Sequence, residues 1–320
     1  MGRVYTPEAL KKIIRIVELD ENEERAPISF IEVLYPNKER IPIIEKIEDD
    51  GRAQLYLCVY DGKKMLYREL YNPIIPMNEL YMETKAKIDS GRIPGKWPVA
   101  CTEYYNDKFG YITEYDLSFK NVKYFSSLRS KLLACRNIVK IFGVLHNKGF
   151  CFQHLAGFSN FDIDYENGNV RVTNADEILL LGKFNGIARN SLETAPELYM
   201  NRKPPTVESD RYSLAILLFE FFFETHPLIG KKLNNIFLTE NVYKEYLIDN
   251  PVYVWDYKDD SNRPLKNSNN GLIVPNYVMD AFSYSFSKEV IHLLNGKQRI
   301  TEREWLSLLK QWWSEIEVNW

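Results

Sequence analysis

LHNKGFCFQHLAGFSNFDIDYENGNVRVTNAD, residues 145–176, is the stretch on which the rest of the chain depends. Leu145, Phe150 and Phe152 are apolar and bracket the turn residues Asn147 and Gly149, so the segment opens as a helix end followed by a loop. Phe161-Asp162-Ile163-Asp164 and Val170-Arg171-Val172 alternate apolar and polar residues with period 2, as strands do. Asn167-Gly168 between them is a strong short-hairpin turn signal. The stretch therefore predicts one hairpin flanked by two polar loops, each able to point side chains into one cleft.

The 320 residues suffice for two lobes, and a hydrophobic content of 45% is normal for a chain that buries a core. A net charge of -3 gives no overall basic face, so a role on nucleic acid or an anionic membrane has no global support. The 21 Tyr and 17 Phe read as core and lobe packing. Cys58, Cys101, Cys135 and Cys151 are far apart without metal-ligand spacing, and read as free buried thiols of a reducing cytoplasm. The N-terminal residues 9–14 are amphipathic and charged, unlike a secretory leader. The longest apolar-rich run, from Tyr212 to Phe223, spans about 12 residues, too short for a membrane crossing.

In chain order, residues 6–18 predict a helix, with Thr6 as N-cap, Pro7 at its first position and Leu10, Ile13, Ile14 and Val17 on one face. Residues 19–45 are charged and mixed. Residues 44–71 predict a strand meander, in which 54–60 and 64–71 are two strands joined at Asp61-Gly62. Residues 77–90 predict a helix stopped by Gly91; 97–102 and 109–114 predict two more strands; 124–147 predict a long helix. After the hairpin, helices and loops dominate, with a polar surface loop over 258–271. This order predicts an α+β chain: an N-terminal extension (1–43), a small β-rich lobe (44–116) and a larger helical lobe (117–320), with a hinge near 115–119.

Several segments resemble the protein kinase fold, in order, over about residues 44–310, and look closest to a divergent bacterial branch of it. Thr194-Ala195-Pro196-Glu197 is similar to the motif that closes the activation segment. Ser209-Asp210-Arg211-Tyr212 resembles the start of the following helix, and Gln298-Arg299-Ile300-Thr301 the late Arg-Pro-Thr segment. The resemblance implies a bilobal fold, a tether from Asp210 to the catalytic-loop backbone, and a buried ion pair between Arg299 and Glu197.

The residues that would touch nucleotide and metal depart from the family pattern. Gly51 alone remains where a glycine-rich lid is expected, beside Asp49 and Asp50. Arg68 stands at the phosphate-lysine position, with Glu83, or else Glu79, as its expected partner. Asn160 matches the metal-binding Asn, but five residues earlier the base position holds Leu155, which accepts no proton; such a loss typically costs about 10²–10⁴ in rate. Asn174 stands at the second metal position, with Asp176 two residues on as a weak substitute ligand. His154 adjoins the lost base, and His146 ends the preceding helix. Ser191 and Thr194 read as solvent-facing hydroxyls, and adjacent Trp312 and Trp313 predict that one of the two faces outward.

The resemblance then implies a cytoplasmic pseudokinase: a regulatory or scaffolding module that binds a protein partner and has no catalytic residue. The competing expectations are an atypical kinase or nucleotidyl transferase in which Arg68, Asn160, Asn174 and Asp176 hold ATP with Mg²⁺, and a module that binds ATP without chemistry.

Overall fold

The computed structural model describes residues 26–318, apart from 50, 52, 72–75, 105–107, 116–124, 126, 153, 154, 156, 174, 184–190, 202, 235, 238 and 265–272. The helix expected over 6–18, most of the expected hinge, His154 and Asn174 lie outside the described residues. The chain is mixed α and β, and divides into two compact units.

Unit 1 comprises Met1–Lys120 with Ser159–Asp162 and Arg171–Asp176. Its centre is a six-stranded antiparallel sheet: β1 (Ser29–Val33), β2 (Glu39–Asp49), β3 (Ala53–Tyr60), β4 (Lys63–Leu70), β5 (Ala100–Cys101) and β6 (Phe109–Glu114), in the order β1-β2-β3-β4-β6-β5. The expected hairpin forms β3 and β4 about Asp61-Gly62, both at positive φ as the tight turn requires. β1 and the first part of β2 precede it in a region read from sequence only as charged and mixed, and β2 runs on into the strand meander expected from residue 44. The strand expected over 97–102 shrinks to Ala100–Cys101, because Pro98 has no N–H for a ladder and Trp97 instead donates its Nε1–H to Lys87 O at 3.0 Å. Helix α1 (Met77–Asp89) covers one face, where Met77 and Leu80 pack with Ala53, Leu70, Cys101, Phe109 and Tyr111. Gly110 is required: a Cβ there would sit 2.3 Å from the Tyr67 ring.

Unit 2 comprises Asn121–Phe158, Ile163–Val170 and Glu177–Trp320. Helix α2 (Leu128–Asn147) starts from Ser127, which caps it reciprocally with Ser130. β7 (Phe150–Phe152) pairs with β10 (Ile178–Leu180). The predicted hairpin is β8 (Phe161–Ile163) and β9 (Val170–Val172); Gly168 at its tip lies so close to α2 that a Cβ would meet Leu133 Cβ and Ser130 O at 2.5 Å. α3 (Pro196–Asn201) and α4 (Val207–Phe223) follow, then α5 (Glu240–Tyr243), α6 (Asn276–Ser285), α7 (Lys288–Ile291) and α8 (Glu302–Val318). α4 is apolar on nearly every face and runs through the core, where Phe219 meets Phe282 edge-on at 5.3 Å and Phe282 meets Trp305 at 5.2 Å. Trp312 is buried against Phe222, whereas Trp313 lies beside Arg129 and Arg136 rather than standing open.

All four cysteines are buried as thiols; burial pushes the Cys58 and Cys101 thiols up to about 12 and the Cys135 thiol higher still. Among the described residues, no helix is long and apolar enough to cross a membrane.

Candidate functional site

Most of the described residues singled out from the sequence for nucleotide and metal fall in unit 1. Arg68 on β4 stands directly opposite Tyr111 on β6 in the strand register, so the two side chains share one face of the sheet. Asp176 reaches both. Its Oδ1 accepts a hydrogen bond from the Tyr111 hydroxyl at 2.6 Å, and its Oδ2 lies 3.5 Å from Arg68 Nε. The acid is held there by its own backbone: Lys87, only 3% exposed on α1, donates its ammonium to Ala175 O at 2.8 Å. Glu83 is buried on the same helix one turn before Lys87. Arg68, predicted from sequence to meet Glu83, meets Asp176, 108 residues further along the chain.

Asn160 is buried, and its carbonyl accepts from Thr173 N–H at 3.0 Å while Thr173 Oγ1 donates to Ser159 O at 2.9 Å. Asp162 and Arg171 face each other across the hairpin at 2.9 Å. Gly95, at φ +117, forms a parallel bridge to Val172, with Lys96 N–H donating to Val172 O and Val172 N–H to Pro94 O, both at 2.9 Å. Gly51 lies at φ +79 in the β2–β3 turn, its N–H held by Asp49 Oδ1 at 3.1 Å.

The residues expected to meet phosphate and metal lie against one another. The cation that would meet phosphate and the carboxylate that would meet metal face each other, and the second carboxylate oxygen holds a tyrosine hydroxyl. Among the described residues, no group of three or more His, Cys, Asp or Glu side chains is arranged to hold a metal ion.

The structural residues lie in unit 2. Arg299 donates to both oxygens of Glu197, Nη1 to Oε1 at 2.6 Å and Nη2 to Oε2 at 2.9 Å; the expected pair is present, with the arginine buried and the glutamate partly exposed. Asp210 accepts Phe152 N–H at 3.0 Å, tying down the backbone just before the loop that carries Leu155. The same carboxylate accepts from His146 Nε2 at 3.0 Å, and His146 Nδ1 faces Glu302 at 3.1 Å. With a carboxylate at each nitrogen the ring carries both protons. Burial alone pushes this imidazole down, but the hydrogen bonds to Asp210 and then Glu302 outweigh it and hold it up at about 9. The sequence marked His146 only as the end of a helix; neither acid is near it in the chain.

Leu155 is buried, and its carbonyl accepts from Ser191 Oγ at 2.6 Å. Ser191 N–H in turn donates to Thr194 Oγ1 at 2.8 Å. The two hydroxyls expected to face solvent are therefore engaged, Ser191 with the Leu155 carbonyl and Thr194 with the Ser191 backbone. His226 closes the same segment: Nε2–H donates to Leu192 O at 3.2 Å while Nδ1 accepts from Leu228 N–H at 3.2 Å, which fixes a neutral tautomer.

Set against known families and characterised proteins, the chain matches no family model and no characterised protein.

Proposed function

We propose that the chain is a protein-kinase-like binding module without phosphoryl-transfer activity, a pseudokinase of bilobal type that acts on a protein partner as a regulator or scaffold. The observation that carries this reading is the contact of Arg68 with Asp176, closed on its other side by Tyr111. A productive site presents its cation to phosphate and its carboxylate to metal. Here the opposite charges lie 3.5 Å apart, and Leu155 at the expected base position offers no proton acceptor. The residues that support the scaffold, Glu197 with Arg299 and Asp210 with the Phe152 backbone, keep their bonds. A maintained frame around a self-neutralised site fits binding better than transfer.

The test is thermal unfolding of the full chain with ATP, alone and with Mg²⁺ or Mn²⁺, together with transfer of labelled phosphate or AMP to any protein. The reading expects no metal-dependent rise in Tm and no label transferred. Because a ligand bound at about 100 times its Kd adds about 2.7 kcal/mol to the native state, a metal-dependent rise of several degrees is readily detected and defeats the reading. So does any labelled product.

A further inference from the structure

Helix α2 of unit 2 carries Arg129, Lys131, Arg136 and Lys140 and no Asp or Glu, in a chain whose net charge is -3. Arg129, Arg136 and Lys140 are spaced by seven and four residues, which sets them in one row about 17 Å long on one side of the helix. Arg129 and Lys140 are exposed and Arg136 is half-buried. α2 packs along α8, and there the Trp313 ring meets both arginines, its centroid 5.9 Å from the Arg129 guanidinium carbon and 5.8 Å from that of Arg136. Guanidiniums steadied on a ring lose less freedom when an anion arrives. Val144, 38% exposed, extends the row one turn beyond Lys140. No acid of the molecule answers these cations. Among the described residues none of the three has a carboxylate within 4.0 Å, whereas Arg92, Arg171, Arg211, Arg263 and Arg299 each do. The described acidic side chains of α8 are engaged elsewhere: Glu302 by His146 and Arg211, Glu304 by Thr301, Glu315 by Gln311.

We propose that this side of α2, with Trp313 of α8, is a docking face for an acidic segment of a protein partner, whose carboxylates meet Arg129, Arg136 and Lys140. That the partner is a protein rests on the preceding reading; its charge and spacing come from the seam between α2 and α8 alone. Charge complementarity selects the occupant. A nucleic acid draws its affinity from many phosphate contacts, and three cations on a net-negative chain supply few. An anionic membrane needs an apolar anchor that reaches out, and Trp313 is half-buried against two guanidiniums. A short acidic segment needs only three carboxylates at matching intervals, and each guanidinium binds a carboxylate through two parallel N–H groups.

The experiment titrates the full chain, at low salt, into a fluorescein-labelled helical peptide bearing three glutamates at the spacing of Arg129, Arg136 and Lys140, and follows anisotropy. Wild type is expected to bind saturably, and the double variants Arg129→Gln with Arg136→Gln and Arg129→Gln with Lys140→Gln to bind at least about tenfold more weakly. The second pair changes only exposed side chains, so it reads the face where the first variant loses its fold. Charge reversal, Arg129→Glu with Lys140→Glu, should reject this peptide and bind its counterpart with lysines in place of the glutamates. A single-stranded oligonucleotide and vesicles of phosphatidylserine with phosphatidylcholine are titrated in parallel. No saturable binding of the acidic peptide by wild type, equal binding by wild type and the glutamine variants, or tighter binding of the oligonucleotide or the vesicles through the same side chains overturns the proposal. Phosphoryl transfer by wild type would defeat the preceding reading and leave the face's affinity for acid standing; a flat peptide titration defeats the docking face alone.

Discussion

The Arg299 guanidinium meets four acceptors: both oxygens of Glu197, Glu208 O at 2.7 Å and Ile291 O at 2.7 Å. A lysine brings the charge but not the planar fork, so it leaves buried carbonyls and one carboxylate oxygen without a donor. Arg299→Lys is expected to lower unfolding stability by about 3 kcal/mol, read by urea denaturation of the purified variant. A loss near zero would mean that the pair contributes nothing beyond its charge. Resemblance to a family's ordered motifs made this contact legible in advance, although its two halves are 102 residues apart. The resemblance put Asp176 and Arg68 at one expected nucleotide site, but their direct contact was not legible, because there the two were to meet metal and phosphate rather than each other. His146 was equally opaque, since its two acids come from α4 and α8 and nothing local in the sequence marks them.

Among the elements, the hairpins were the most readable parts and β1 and β2 the least. Asp61-Gly62 and Asn167-Gly168 carry their turn chemistry in two residues. β2, by contrast, contains Pro42 and six charged residues in ERIPIIEKIED, which obscure the alternation of the buried Ile41, Ile43 and Ile47, and only its part from residue 44 was legible as strand. Glycines at the ends of elements separate strain from contact. Gly62→Ala, at φ +68 with nothing within 4 Å of a Cβ, should cost about 1 kcal/mol from conformation alone. Gly95→Ala adds a Cβ 2.2 Å from Val172 O and breaks a bridge of two backbone hydrogen bonds, so it should cost about 3 kcal/mol. Chemical denaturation of the two variants side by side checks the ordering; equal losses would remove the bridge from the account.

At the scale of the whole molecule, stability should fall as pH rises past about 6.5 and, for separable reasons, as pH falls below about 4.5. His146, held up at about 9, stabilises fully below its ordinary value of about 6.5 and ceases to do so as pH rises through about 9. Glu220, pushed up to about 8 by burial and then by Glu193, also makes stability decline with rising pH, from about 4.5 toward 8. His226, pushed down to about 4 by burial, acts in the opposite sense: its contribution is present above about 6.5 and is lost as pH falls through about 4. Denaturation midpoints measured from pH 4 to 10 should therefore describe a curve that is level between about pH 4.5 and 6.5, where Glu220 and His226 offset each other, and that falls on its alkaline side. His146→Gln should flatten its alkaline limb above about pH 8, where Glu220 has finished titrating, and a limb unchanged in that variant would refute the imidazolium. The buried thiols offer a further consequence. Cys58 and Cys101 belong to unit 1, Cys135 and Cys151 to unit 2, and an alkylating reagent reaches none of them until the surrounding layer parts. Mass spectrometry of timed iodoacetamide pulses, resolved peptide by peptide, would then act as a pair of clocks native to the chain, one timing the sheet as it comes open and the other timing the helices.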